Sequence, residues 1–316
     1  MNSNRKKILV ALDGSGHAFD TVRYLSQVLP PDRVELVLFS VLTKKPERFW
    51  DTEENRPLIH GPSFTDGWEI QQEKAIQEFM KNARQLFMDR SFPVDTVTIK
   101  IQERKIGIAR DIIHEAQHGY DAVVAGRQGM NPITRLVIGS IASKFIGSLT
   151  HIPLWLVGNS TQVKKMLIAL DTSEVAMRVV EHLGNMVGGA NLELTLFHVI
   201  RSFDVRLPGQ NEKYFEFVDK DVLTVKSNEE LNVHRVFEKA SKILEKAGFN
   251  QDQITTKIIY GMATRSGSIV AQAINGGYGT IVLGRRGHSK VGEFYMGRVT
   301  NKVIQLAKKM AVWVVS

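Results

Sequence analysis

The sequence predicts an α/β protein built from two tandem doubly wound domains, each with a five-stranded parallel sheet. Two observations predict it. The second half of the chain repeats the first at a constant distance of 158 residues, so that Ile8–Asp13 corresponds to Met166–Asp171. In each half, short and continuous apolar runs alternate with amphipathic segments, which is typical of buried parallel strands joined by helices.

The repeat extends over the whole chain. It relates glycine to glycine and tryptophan to tryptophan in the pairs Gly126 and Gly284, Gly139 and Gly297, and Trp155 and Trp313. A period of 158 residues is far longer than the roughly 20–50 residues of solenoid repeats. The sequence therefore predicts a tandem duplication, with domain one at residues 1–158 and domain two at residues 159–316.

The elements of domain one follow in a regular order, and domain two repeats that order. The predicted strands are Ile8–Leu12, Val34–Leu42, Val94–Ile101, Tyr120–Ala125 and Pro153–Val157. The predicted helices run from an N-cap at Ser15 to about Leu29, and over Trp68–Asp89, Ile106–His118 and Gly139–Leu149. Long polar loops are expected after the second strand of each domain, over residues 43–67 and 201–228.

Composition excludes several classes of protein. The 316 residues include 41 Lys and Arg, 33 Asp and Glu, and no Cys, so disulfide frameworks and thiolate chemistry are excluded. Apolar runs are far shorter than the roughly 20 residues of a membrane-spanning helix, and we expect a cytoplasmic protein without a membrane partner. The net charge of +8 comes without a nucleic-acid-binding signature, so no nucleic-acid partner is expected.

Glycines gather at two predicted strand ends, where parallel α/β sheets bind their ligands. Asp13-Gly14-Ser15 follows the first strand, and Gly126-Arg127-Gln128-Gly129 follows the fourth. Nine residues later, Gly139-Ser140 opens a helix. Glycine lets a backbone approach phosphate closely, and a helix N-terminus offers N–H groups and the positive end of its dipole. The pattern predicts a nucleotide pocket, whereas glycines that merely form turns are the weaker interpretation.

This pattern, Gly-x2-Gly-x9-Gly-Ser with an Asp ending the first strand, resembles the ATP-binding branch of the universal stress proteins over nearly the whole chain. The resemblance implies a Rossmann-like sheet with strand order 3-2-1-4-5. It also implies adenine contacts and a ribose and phosphate site. The first are expected at Ala11, Asp13 and Val41, and the second at Gly126, Gly129, Gly139 and Ser140. Ala142 stands where the family often has a hydroxyl residue.

Domain two supplies the matching residues Asp171, Val199, Gly284, Gly287 and Gly297. It departs from the motif at Arg298, where a hydroxyl residue is expected, although Thr300 restores a hydroxyl two residues later. Two interpretations stay open. Either the basic residues near Arg298 in sequence form a cradle for a polyphosphate, or the second site has decayed. Those basic residues are Arg285, Arg286, His288, Lys290 and Lys302.

A literal match to the zinc-protease motif HExxH occurs at His114-Glu115-Ala116-Gln117-His118. Domain two lacks it, and the predicted helix carrying it ends at the sheet edge opposite the ligand crevice. We interpret it as a solvated helix end. No catalytic residue and no metal ligand is predicted.

The resemblance implies a regulatory protein of the stress response with ATP or another adenine nucleotide as ligand, and it leaves the presence of Mg open. A slow ATPase or phosphotransferase and a nucleotide-free scaffold are the alternatives. The apolar closing strands, residues 153–157 and 311–315, predict an intramolecular pseudo-dimer of the two domains. A homodimer of whole chains is a weaker expectation.

Overall fold

A computed structural model describes residues 5–43, 62–127, 140–159, 163–201, 220–261, 264–286 and 296–316. The chain divides into two compact units, Met1–Asn159 and Ser160–Ser316. We keep the names domain one and domain two for these units. Among the helices that the described ranges contain, none is long and apolar enough to cross a bilayer.

Domain one alternates strands and helices throughout its described residues. The strands are β1 Lys6–Ala11, β2 Val34–Leu42, β3 Val97–Glu103, β4 Ala122–Gly126 and β5 Leu154–Val157. The helices are α1 Gly16–Val28, α2 Pro62–Met88, α3 Ile108–Ala116 and α4 Ser140–Ser148.

Domain two repeats this order. Its strands are β6 Lys165–Ala169, β7 Glu193–Arg201, β8 Ile254–Gly261, β9 Thr280–Gly284 and β10 Ala311–Val315. Its helices are α5 Val175–Val187, α6 Lys220–Lys246, α7 Arg265–Asn275 and α8 Arg298–Leu306.

Every strand within a domain pairs with its neighbours in parallel. Domain one has the order β3-β2-β1-β4-β5, and domain two has the equivalent order β8-β7-β6-β9-β10. The predicted fold class and the strand order 3-2-1-4-5 are therefore confirmed. The strand β1 lies between β2 and β4, with Ala11 in register with Phe39 on one side and Ala125 on the other.

The apolar strands form the core because both faces of each sheet are covered by helices. Ile8, Leu9 and Val10 in the middle of β1 have no exposed surface. Helix α1 packs beside α2, and α3 beside α4. The chain runs from β1 to β3 in one direction across the sheet and from β4 to β5 in the other. Crossovers of the usual right hand then place the two helix pairs on opposite faces.

Helix α1 begins as predicted, with Ser15 as its N-cap. The Ser15 hydroxyl accepts a hydrogen bond from the Ala18 amide at 3.1 Å, which satisfies one of the N–H groups left over at a helix start. Gly14 just before it has a φ of +79°, in the left-handed region that favours glycine. The cap and the glycine together turn the chain sharply from β1 into α1.

The predicted long loops are wrong at their C-terminal ends, because α2 begins at Pro62 and α6 at Lys220. Proline is tolerated in the first helical turn, where its missing N–H has no partner to lose. Residues 220–228 contain neither Pro nor Gly and extend the amphipathic helix behind them. Strand β3 also starts later than predicted, since Thr96 turns back onto the Pro93 carbonyl through its amide and its hydroxyl.

We expect Gly14→Ala to lower the free energy of unfolding of domain one by about 1 kcal/mol or more. The substitution would force an L-residue into a positive φ, and its Cβ would come 3.0 Å from the Ile76 Cδ1 atom. Urea unfolding of the full chain, with amide hydrogen exchange in β1 as the readout for domain one, measures this loss.

Gly16→Ala is the matched control. A Cβ at Gly16 meets nothing within 4 Å, and its φ is ordinary, so domain one should keep or slightly raise its stability. Equal effects of the two substitutions would contradict the role of the left-handed turn.

Candidate functional site

The carboxyl ends of three neighbouring strands, β2, β1 and β4, lie at one edge of the sheet of domain one, and we call this edge and its equivalent in domain two the crevice. Ala11 at the end of β1, Val41 near the end of β2 and Gly126 at the end of β4 are each partly exposed. Leu12 and Ala125 beside them are buried. The surface is therefore open at the point where the strand order reverses, which is where open α/β sheets bind ligands.

The predicted acidic residue lies in this crevice and is held in place. The Asp13 Oδ1 atom accepts hydrogen bonds from the Ser15 amide at 3.0 Å and from the Ser15 hydroxyl at 2.6 Å. In domain two, Asp171 accepts the same two bonds from Ser173. Both predicted carboxylates thus follow the first strand of their domain and hold the serine two residues further along the chain.

The two domains differ where the adenine contacts were predicted. Val41 is partly exposed in domain one, whereas Val199 in domain two is buried. Ala169, which corresponds to Ala11, stays partly exposed. The start of the following helix also differs, because α5 begins after Glu174 without a side-chain cap. Domain two therefore keeps the strand ends of the site but closes its side along β7.

A buried arginine follows the first glycine of the motif in each domain. Arg127 is 3% exposed and Arg285 is 2% exposed. Their amides donate to the Val157 and Val315 carbonyls at the ends of the closing strands. Burial lowers the pKa of Arg127 to about 10, so the side chain remains charged at neutral pH. Burial, followed by the charge of Arg286, lowers the pKa of Arg285 as well.

The sequence reasoning missed these buried arginines, although the repeat marked them by placing an Arg after the glycine in both domains. It counted Arg285 among the basic residues around Arg298. The structure instead places the Arg285 side chain inside domain two. The exposed basic residues on α8 are Arg298 and Lys302, which are four positions apart and share one face of the helix.

Two hydrogen bonds join the described residues on either side of the glycine loop of domain two. The Gly297 amide donates to the Arg285 carbonyl at 2.9 Å, and the Thr300 hydroxyl donates to the Gly284 carbonyl at 2.7 Å. A Cβ at Gly284 would come 3.1 Å from the Arg286 carbonyl oxygen, and one at Gly297 would come 3.2 Å from the Arg285 carbonyl oxygen. A Cβ at either position would therefore press against a backbone carbonyl.

Thr300 therefore does not restore the missing hydroxyl of the motif as a donor to a ligand. Its proton is used by the Gly284 carbonyl, and the residue is 4% exposed. Ala142, the matching residue of domain one, is buried without such a group. The hydroxyl of Thr300 fastens the start of α8 to the end of β9.

The start of α8 lies beside the end of β9, since Gly297 and Thr300 bind the Arg285 and Gly284 carbonyls. Ser140 is the first residue of α4, and Arg298 is the first residue of α8. Gly297 is the N-cap of α8 and has no side chain that could accept from the first amides of the helix. Gly129, Gly139 and Gly287 lie outside the described residues.

The HExxH match is not arranged as a zinc-protease helix. Helix α3 ends at Ala116, so His118 lies beyond it. Glu115 accepts hydrogen bonds from Lys100 Nζ and the Tyr120 hydroxyl, both at 2.7 Å. Burial raises the pKa of Glu115, but these bonds outweigh it and keep the pKa below its ordinary value. The Glu115 carboxylate is thus buried and paired with a half-exposed lysine, so the interpretation as a solvated helix end is wrong for Glu115.

A family model described as the universal stress protein family matches the chain twice, over residues 4–158 and 162–316. The comparison with curated proteins gave no match. Among solved structures, a universal stress protein from Archaeoglobus fulgidus DSM 4304 is 17% identical, with a TM-score of 0.58, and the match covers 98% of this chain and 96% of that one.

A putative universal stress protein from Pseudomonas aeruginosa UCBPP-PA14 is 14% identical, with a TM-score of 0.57, over 99% of this chain and 94% of that one. A universal stress protein in complex with cAMP is 19% identical, with a TM-score of 0.36, over 48% of this chain and 97% of that one. At identities of 17% and 14%, the two full-length matches show a shared fold and carry no conclusion about function.

We expect Thr300→Val to lower the free energy of unfolding of domain two by about 1–3 kcal/mol, because it leaves the Gly284 carbonyl without its hydroxyl donor. Thr300→Ser is the matched control, since it keeps the hydroxyl and loses only a methyl group. Urea unfolding with hydrogen exchange at β9 measures both. A valine variant as stable as the serine variant would contradict the assigned contact.

Proposed function

The chain belongs to the universal stress protein family, a family of stress-response proteins, and on that premise we propose that it is a regulatory protein that binds ATP or another adenine nucleotide. The proposed site is the crevice at the carboxyl edge of the sheet, first of all in domain one. There the sequence motif is complete.

The single observation that carries the proposal is the opening at the strand ends of domain one. Ala11, Val41 and Gly126 are partly exposed among buried neighbours, and Asp13 is oriented by Ser15. An adenine ring needs an apolar floor and a few fixed polar groups. In this crevice Ala11 and Val41 supply apolar surface, and Asp13 supplies a fixed polar group.

The start of α4 supports a phosphate site in domain one. Ser140 is its first residue, and the first amides of a helix face outward with the positive end of the helix dipole behind them. Among the described residues, no three His, Asp or Glu side chains form a group that could hold a metal ion. Any magnesium would be held largely by the phosphates of the ligand, as is usual for this ion.

Binding fits the described residues better than hydrolysis does. Asp13 and Asp171 are the carboxylates that follow the first strands, and each uses its Oδ1 atom to hold the following serine. A general base must instead reach the proton that it removes. We expect nucleotide to be retained over many minutes with slow turnover or none.

Domain two offers a basic variant of the same site. Arg298 and Lys302 share one exposed face of α8, and a cation at a helix N-terminus costs about 0.3–1 kcal/mol unless an anion lies near it. We propose that a polyphosphate is the anion that offsets this cost. The competing interpretation is a decayed site.

The two aspartates provide a test that separates the domains. We expect Asp13→Asn to weaken adenine-nucleotide binding about tenfold or more by removing a charged hydrogen-bond acceptor. The amide oxygen of asparagine still accepts from Ser15, so α1 keeps its cap. Asp171→Asn is the matched control, since it alters only domain two.

Calorimetry with ATP, ADP, AMP and cAMP measures the affinities. Before calorimetry, mass spectrometry identifies any nucleotide that is released from freshly purified and denatured protein. Unchanged affinity in Asp13→Asn, with the fold intact by thermal unfolding, would contradict the site in domain one. Rapid phosphate release from ATP by the wild-type chain would favour the enzyme alternative.

Arg298→Ser decides between the two interpretations of domain two. The background is Gly129→Val, which should block backbone approach of the ligand in domain one. If the basic face is a working cradle, the substitution should weaken ATP binding severalfold and leave AMP binding nearly unchanged. The preference of wild-type domain two for ATP should also shrink with salt, since exposed charges are screened over about 10 Å at 0.1 M. Equal or tighter ATP binding in Arg298→Ser would favour a decayed site.

A further inference from the structure

A buried histidine stands at the carboxyl edge of domain two, where domain one has a serine. His198 lies in β7 and is 7% exposed, and the repeat pairs it with Ser40 of β2. Serine does not change its charge near neutral pH, whereas histidine is the side chain whose ordinary pKa lies there. The substitution therefore introduces a titratable group into one domain only.

One ring nitrogen of His198 is tied to the end of β6. The Nδ1 atom lies 2.7 Å from the Leu170 carbonyl oxygen. A carbonyl only accepts, so Nδ1 carries the proton and donates it. Leu170 immediately precedes Asp171, the residue that corresponds to Asp13 of the proposed site in domain one. His198 thus holds the peptide from which the Asp171 side chain extends.

The other ring nitrogen faces charged groups on two helices. The Nε2 atom is 3.9 Å from the Glu229 Oε1 atom of α6, and the same Oε1 atom is 3.9 Å from Arg265 Nη2 at the start of α7. Nε2 is buried and makes no hydrogen bond with the described residues. In the neutral tautomer it carries a lone pair that cannot donate to the carboxylate.

These surroundings oppose each other in their effect on the imidazole. Burial is the largest influence and lowers the pKa of His198. The Leu170 carbonyl raises it, Arg265 lowers it, and Glu229 and Asp171 raise it. Protonation would place a donor at Nε2 toward Glu229, so that one imidazole would join β6 to α6.

We propose that His198 is a positioning residue that makes ligand binding in domain two depend on pH, by holding the backbone before Asp171 and by pairing with Glu229 when it becomes protonated. This inference rests on the proposed function for its ligand. Its proton chemistry rests on the contacts of His198 alone.

The expected direction follows from the charge. As the pH falls from 7.5 to 5.5, protonated His198 adds one positive charge beside the crevice of domain two. An anionic nucleotide should then bind more tightly by at least about fivefold, a coupling of the size usual between linked sites. Domain one has Ser40 at the matching position, so its nucleotide affinity should not gain from protonation there.

NMR of the full chain labelled with ¹⁵N-histidine tests the tie, by which we mean the hydrogen bond from His198 Nδ1 to the Leu170 carbonyl. It needs no nucleotide. The signal that disappears in His198→Asn belongs to His198. It should report the Nδ1–H tautomer and a pKa below the ordinary value of about 6.5. Glu229→Gln should lower this pKa further, and Arg265→Gln should raise it. An Nε2–H tautomer, or a pKa that neither substitution moves, would overturn the tie.

Calorimetry tests the coupling. It uses ATP and the Gly129→Val background at pH 7.5 and 5.5. His198→Asn keeps an amide donor near the place of Nδ1 and cannot be protonated at these pH values. It should retain the affinity of wild type at pH 7.5 and lose the gain at pH 5.5. Comparing the two proteins at each pH cancels the protonation of ATP itself.

His198→Ser is the second variant, because it installs the residue of domain one and removes both ring contacts. It should bind more weakly than His198→Asn already at pH 7.5. An equal gain in wild type and His198→Asn on acidification would overturn the coupling. Absence of ATP binding at both pH values, with the expected NMR titration, would overturn the coupling and the proposed function of domain two but confirm the tie.

Discussion

The position of the first strand of each domain between two parallel neighbours is the constraint on which the rest depends. Strand β1 is hydrogen-bonded to β2 and β4, and β6 is bonded to β7 and β9. Both faces of such a strand are buried, so its polar residues are confined to its ends. The chain must turn into a helix there, and the strand order reverses at the same point.

This constraint explains why the two domains share a backbone and differ in the chemistry of their carboxyl edges. The strand pairing requires apolar residues in the middle of the strands, and the repeat keeps them. At the edge, Gly14 is replaced by Thr172, Ser40 by His198 and Ala142 by Thr300. These positions lie at turns, at strand ends or in the first turn of a helix, outside the apolar middles of the strands. One fold therefore offers two differently charged crevices.

Burial also decides which charged residues can face a ligand. Arg127 and Arg285 lie inside their domains, although their place in the glycine motif suggests a phosphate contact. Glu115 pairs with Lys100 and Tyr120, although the sequence around it matches a metal-binding motif. In both cases the local pattern indicates one chemistry, and long-range packing assigns the side chain to another.

The sequence by itself determined the repeat, the alternation of strands and helices, and the strand ends at which Asp13 and Asp171 stand. These features follow from short-range patterns of apolar residues, glycines and caps, and Ser15 capped its helix as its position predicted. The early starts of α2 and α6 were also within reach of sequence reasoning, since proline is tolerated in a first helical turn and residues 220–228 contain neither Pro nor Gly.

Only the tertiary structure decided that the Thr300 hydroxyl binds the Gly284 carbonyl and that His198 lies between Leu170 and Glu229. Residues 28 and 31 positions from His198 create its environment. No local pattern specifies such distant contacts, because they form only when parallel strands and their helices meet at one edge of the sheet.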